Sequence, residues 1–323
     1  MTGLRCSPAL RLGLLASLAL LCVAAFLLLG ARGDWAFVLR YRGQKLAALL
    51  LVATTIGIAT VLFQTITHNR ILTPSVMGFD ALYVLIQTLL VFGLGLERLA
   101  GVDIRLKFAC EVLLMVGLAW LLFRWLFSGA VRSLHLTMLV GIVAGVLFRS
   151  LTSFMVRVID PNEFAVLQDR MFASFNLVAL ELLAASALIV LGVLLLGWHL
   201  LRSLDALALG RELAINLGLD YQRLVMRVLV LVAVLVSVST ALVGPVTFFG
   251  LLVANLAYQV MGSDRHRQVL PAAVLLGAIF LVGGQVVLER VLGFNTSLSV
   301  VVEFLGGLMF IALLLRSARR PVP

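Results

Sequence analysis

Apolar residues run in long blocks along the chain, and polar or charged residues interrupt them at intervals without period-2 alternation. Alternation would indicate the strands of a membrane barrel. Continuous blocks of about 20 apolar residues indicate helices that cross a bilayer, where the helix satisfies its own backbone. The pattern predicts about ten such spans, at residues 9–30, 46–67, 78–96, 107–127, 134–150, 175–198, 224–243, 247–261, 269–289 and 298–315, the eighth of them short. An even number places both termini on one side. Within the first block, the run at 12–29 follows Arg5 and Arg11 as a signal-peptide core would, but it is longer than such a core and no small-residue cleavage site follows it cleanly. We read it as the first span. The fold class is all-α, polytopic and membrane-embedded, with residues 1–323 read as a single domain.

Between the sixth and seventh spans the pattern changes. Residues 204–227 read LDALALGRELAINLGLDYQRLVMR and carry Asp205, Arg211, Glu212, Asp220, Arg223 and Arg227. Leu207, Leu209, Leu213, Leu217 and Leu224 recur at roughly helical spacing, with Gly210 and Gly218 between them. That predicts two short helices joined at a glycine. The segment is too polar to cross the bilayer, so it lies at the membrane surface. It either offers a face to a partner in the water phase or is a solvated loop.

Composition narrows the picture. The chain is 63% hydrophobic and 12% charged, against roughly 25% charged in soluble domains. Its net charge of +10 comes from 25 basic and 15 acidic residues. The arginines sit at the ends of apolar blocks, at the depth of lipid headgroups, so lipid rather than nucleic acid is the expected polyanionic neighbour. Counting Lys and Arg in alternate loops favours, by a small margin, a cytoplasmic location for both termini and for the 204–227 segment. Cys6, Cys22 and Cys110 are scattered, as are His68, His135, His199 and His266, which argues against a disulfide framework or a metal site. The chain contains no phosphate-binding loop, nucleophile elbow or zinc-protease motif.

Polar residues inside apolar blocks are the candidates for a pathway. Glu111 and Glu181 are costly in lipid unless paired, protonated or facing water, and a proton relay is one reading of them. Lys107 lies four residues before Glu111, the spacing of a helical ion pair. Gln64 and Gln87 are expected to face the bundle interior. Gly141 with Gly145, Gly283 with Gly284 and Gly306 with Gly307 allow close helix approach, or mark a subunit contact or a moving part.

Several motifs resemble those of one family. Arg40-Tyr41-Arg42, Gln64, His68-Asn69-Arg70, Pro74 and Gly78 are followed by Leu209-Gly210, Ala214, Leu217-Gly218 and Arg223. Next come Gly244, Phe248 and Gly250-Leu251, and then Gly262-Ser263-Asp264-Arg265-His266-Arg267 with Leu270 and Pro271. This order is similar to that of the type II ABC importer permeases, the family of the vitamin B12 permease, and of their iron-siderophore branch. The stretch ILTPSVMGFDALYVLIQT is similar to permeases of ferric catecholate systems. Two positions depart from the pattern: Ala254-Asn255 stands where the family has Pro-His, and Gln285 where it has an aspartate.

The resemblance implies a permease without enzymatic activity in the inner membrane. Its loop at about 203–227 would form coupling helices that dock on a separate cytoplasmic ATPase through Leu209, Gly210, Arg211, Ala214, Leu217, Gly218 and Arg223. Arg40, Arg42 and Arg290 would meet acidic residues of a periplasmic siderophore-binding protein; anchoring to headgroups is the other reading of Arg40. A second, unlike permease would complete the pathway, with Gln64, Gln87 and Glu181 as lining candidates. ATP and magnesium would be used by the partner, and this chain would bind no cofactor. A cobalamin or haem permease of the same family, or a proton-coupled secondary transporter carried by Glu181, are the alternatives.

Overall fold

In the computed structural model, residues 7–29, 35–128, 134–176, 178–291 and 298–318 are described. Arg5, Arg32, Arg132, Arg319 and Arg320, which enter the charge count, lie outside them. The helices are α1 (Pro8–Leu28), α2 (Trp35–Thr67), α3 (Phe79–Ala100), α4 (Ile104–Ser128), α5 (Leu134–Val156), α6 (Pro161–Arg170) and α7 (Leu180–Trp198). They continue with α8 (Leu201–Leu207), α9 (Arg211–Asn216), α10 (Tyr221–Val243), α11 (Phe249–Met261), α12 (His266–Ala278), α13 (Gly284–Arg290) and α14 (Leu298–Ala318). A π-helical turn, Ile279–Gly283, joins α12 to α13 without a break. Each of the predicted spans is a helix. Among the described residues, eight helices are long and apolar enough to cross a membrane, and the apolar helix Phe249–Met261 is shorter.

α2 is the axis of the bundle, with α10, α11 and α12 packed around it. Small residues permit this. A methyl at Gly277 would lie 3.1 Å from Ala53 Cβ, and one at Gly57 would lie 3.4 Å from the Ala273 carbonyl, so α12 and α2 meet nearly backbone to backbone. At 33 residues, α2 is about 50 Å long, well beyond the roughly 30 Å hydrocarbon core. It starts eleven residues before the apolar block at 46, because residues outside lipid need only be helix-compatible and not apolar.

Three other departures from the hydrophobic pattern have physical causes. The connection after α2 does not stay at the surface: Pro74–Met77 forms a 3₁₀ turn and Gly78, with φ of 93°, starts α3 inside the bundle. There Gly78 packs on Gly145, midway along α5, and Gly141 packs on Met77, so the Gly141–Gly145 pair serves packing. The sixth span begins at Leu180, not 175, because residues 171–176 are held against the end of α10, with Ser174 N donating to the Val243 carbonyl at 2.7 Å. Helix α6 was not expected at all. Asp160 caps it by accepting from Asn162 N at 2.8 Å, Pro161 opens it, and its Glu163 accepts from Leu96 N at 3.2 Å where Gly95 breaks α3.

The ends of the bundle are distinguished by contacts. Arg11, at the start of α1, donates to the carbonyls of Val260 and Met261 at the end of α11. The start of α1 therefore shares one end, here the near end, with α8, α9 and the start of α12. The C-terminus of α1, the start of α2 and α13 lie at the far end.

Candidate functional site

At the near end the polar segment folds as two short helices. Gly210, with φ 104° and ψ 165°, turns the chain from α8 into α9, a conformation nearly restricted to glycine. Gly218, with φ of 82°, closes α9: its N–H bonds the Ile215 carbonyl at 2.9 Å and Leu219 N bonds the Ala214 carbonyl at 3.1 Å. Among the described residues, no atom beyond the immediate chain neighbours lies within 4 Å of where a Cβ would stand at either glycine, so their requirement is conformational.

This geometry decides what α9 shows. Ala214 is fully buried against the bundle, whereas Leu209, Leu213, Ile215 and Leu217 are about half exposed or more. Around them are Arg211, stacked over Tyr221 at 6.0 Å, and Arg223, paired with Asp220 at 3.0 Å. An exposed apolar patch ringed by charge, on a segment too polar for lipid, makes α9 a candidate interaction surface. Of the seven expected coupling residues, Leu209, Gly210, Arg211, Leu217 and Gly218 lie on α9 or the turns beside it and Arg223 lies in the first turn of α10, whereas Ala214 faces inward.

Behind α8 and α9 lies a polar layer that closes the near end. Asp205 Oδ1, on α8, accepts from the His266 backbone N–H at 2.9 Å and lies 2.6 Å from its Nδ1; His266 Nε2 lies 2.7 Å from Thr65 Oγ1 on α2. Arg70 stacks on Tyr258 at 4.4 Å and pairs with Asp264. Its backbone carbonyl accepts from Gln64 at 2.7 Å and from Asn255 at 2.8 Å. A cavity of about 560 Å³ opens here, lined in part by Gln64, His68, Arg70, Asp205, Leu209 and Tyr258.

At the far end the expected docking arginines divide. Arg40 is exposed on the part of α2 that projects past the apolar block. Arg42 donates to the carbonyls of Phe26, Leu27 and Leu29, and Arg290 donates to the Leu29 carbonyl. Both therefore cap the C-terminus of α1, where cations are favoured by unpaired carbonyls. Beneath them Lys45 pairs with Glu289 at 2.8 Å, and Glu289 also accepts from Gln285 at 2.8 Å.

The lining candidates do not converge. Gln64 is buried at the near end as a loop anchor. Gln87 donates to Glu111 at 2.6 Å and accepts from Arg170 of α6 at 3.2 Å, while Lys107 lies 3.6 Å from Glu111, the anticipated helical pair. Glu181 sits in the first turn of α7, exposed and bonded to Arg105 at 2.6 Å. Counted from residue 175, where the apolar run starts, Glu181 would lie well inside its span; the helix starts at Leu180.

The profile of the FecCD transport family matches residues 12–316. The chain belongs to the FecCD transport family. It is 45% identical to the petrobactin import system permease protein YclO of Bacillus subtilis (strain 168), over 95% of this chain and 97% of that one. It is 37% identical to the petrobactin import system permease protein FatC of Bacillus anthracis, over 86% of this chain and 79% of that one. The fold is similar to that of a structure described as an inward-facing metal-chelate type ABC transporter, with a TM-score of 0.82 at 21% identity over 95% of this chain and 99% of that one.

In this FecCD-family chain, sequence reasoning missed Asp205, His266 and Asn255 as working residues. His266 looked like one of four scattered histidines, and Asn255 like a mere departure from Pro-His. The usable signal was position: a lone His at the first turn of a span, and an amide in the middle of a short one.

Proposed function

We propose that this chain is a permease subunit of an ABC importer that carries a ferric siderophore across the inner membrane into the cytoplasm. The observation that carries the reading is the exposed leucine face of α9, held out by two positive-φ glycines on a segment too polar for lipid. In this reading the near end is cytoplasmic, and an ATPase subunit, which binds the nucleotide and magnesium, grips α8 and α9. A periplasmic binding protein meets the far end through Arg40, with Arg42 and Arg290 fixing the α1 terminus beside it. A second permease, unlike this one, completes the pathway. The permease itself performs no bond chemistry. It has two arrangements, and each partner shifts the balance between them.

The substrate class rests on the petrobactin permeases YclO and FatC; uptake assays with labelled ferric siderophore, cobalamin and haem separate the alternatives within the family. A proton-coupled carrier built on Glu181 is disfavoured, because that carboxylate is exposed at a helix terminus and held by Arg105. The docking reading is tested with Leu213→Glu. Leu213 is 53% exposed and only its backbone takes part in closing α9, so the variant should insert normally yet lose the ATPase on co-purification. Full retention of the ATPase with normal uptake would overturn it.

A further inference from the structure

The helix that bears the exposed leucines is not the one that holds the bundle. α9 packs chiefly on α8 and α10, whereas α8 packs on α9, α2 and α12. Leu204 and Leu207 bury α8, and between them Asp205 turns its carboxylate to the start of α12. One oxygen, Oδ1, takes both the backbone N–H and the Nδ1 of His266. That backbone N–H is among the first of α12, which have no intrahelical acceptor, so α8 caps α12 from outside. His266 is almost fully buried and its other nitrogen faces Thr65 of α2. Three elements thus meet at one imidazole.

The helix that starts at His266 is tied at its other end as well. Beyond the π-helical turn at Ile279–Gly283, Glu289 is paired with Lys45 and Arg290 caps α1. A π turn inside an α-helix is a point where the hydrogen-bond ladder is already interrupted, and such turns recur at functional sites. The span from His266 to Arg290 is therefore a rod fastened at both membrane faces with a compliant point between.

We propose that the Asp205–His266 junction is the positioning contact that transmits movement of the coupling helices into the ninth span, and that Asp205 acts there as a hydrogen-bond acceptor. The proposal rests on the reading that an ATPase grips α9. Motion of α9 reaches the bundle through its contact and covalent continuation into α10, through the covalent run of α8 back into α7, and through the non-covalent packing of α8 on α2 and α12. The last of these ends on the span whose far end carries Arg290 and its cap on α1.

The test uses the whole transporter, with both permeases, the ATPase and the binding protein, in proteoliposomes, and reads ATP hydrolysis and ferric-siderophore uptake together. Asp205 is partly solvent-exposed, so in Asp205→Ala water can reach the freed His266 groups and the complex still assembles. Uptake per ATP hydrolysed should fall about tenfold or more while hydrolysis continues. Asp205→Asn keeps an oxygen able to accept both bonds and should restore the wild-type ratio. An unchanged ratio in Asp205→Ala, loss of the ATPase from that variant, or an Asp205→Asn variant as impaired as the alanine would each overturn the proposal. A wild-type chain that retains no ATPase would instead contradict the docking reading beneath it, a different observation made on a different protein.

Discussion

Gly145 offers a test of the packing on which the re-entrant start of α3 depends. Replacing it by Ala brings two opposed effects. Alanine favours a helix over glycine by about 0.5–1 kcal/mol. The added Cβ, however, would lie 2.9 Å from Gly78 Cα, where carbon atoms prefer about 3.5–4.0 Å. The neighbour is backbone held at φ 93° and cannot move aside as a side-chain tip could. Overpacking of this kind costs about 1–3 kcal/mol, so Gly145→Ala should lose about 1–2 kcal/mol net, lowering the melting temperature by a few degrees. Gly141→Ala meets the Met77 methyl at 2.9 Å, a flexible end, and should come out near neutral. Gly117→Ala on α4 meets nothing within 4 Å and should gain stability. Melting the three variants in one detergent gives the order Gly117→Ala, Gly141→Ala, Gly145→Ala from most to least stable. A Gly145→Ala protein as stable as the wild type would refute the contact.

Other outcomes follow from the same geometry. Lys45 and Glu289 are only 7% and 13% exposed, so Lys45→Met should cost about 3–5 kcal/mol, and adding Glu289→Leu should restore most of it; additive losses in a double-mutant cycle would contradict the pairing. Glu181→Gln should leave both uptake and the melting temperature close to those of the wild type, because the pair with Arg105 is exposed; a transport-dead variant would favour a proton carrier. Gly210→Ala forces an alanine into a glycine-only conformation at a cost of about 1–3 kcal/mol. Hydrogen exchange should then show loss of amide protection over 211–216, and unchanged protection would count against the φ assignment.

Membrane helices were legible in the sequence because lipid imposes one rule, that a span be apolar and continuous, and every block from 9–30 to 298–315 obeyed it. The glycine-marked pair α8 and α9 was legible for a related reason: Gly210 and Gly218 punctuate a pattern that water and lipid would each reject as a span. What the blocks could not reveal is where helices continue outside lipid, as α2 does from Trp35 to Lys45, or start late, as α7 does at Leu180. Those ends are set by contacts distant in sequence, such as Ser174 on Val243. The α6 signal was present in Asp160-Pro161-Asn162-Glu163, a cap, a first-turn proline and a first-turn acid, but it is amphipathic and short and was hidden between spans. The site divided in the same way. The exposed leucines of α9 follow from local pattern, whereas Asp205 with His266, and Arg42 with Arg290, acquire their contacts only from partners far away in the chain. Arg42 and Arg290, expected to meet a binding protein, illustrate this: both donate to carbonyls at the end of α1, contacts that no local pattern reveals.

The account turns on which face of the membrane α9 occupies and what covers it. Leu217, 61% exposed, can be replaced by Cys after Cys6, Cys22 and Cys110 are changed to Ser, and treated with a membrane-impermeant thiol reagent in intact cells and in inside-out vesicles. Labelling in the vesicles alone, suppressed when the ATPase is assembled on the permease, is the result expected. Labelling in intact cells, or labelling in vesicles that an assembled ATPase leaves unchanged, would contradict it.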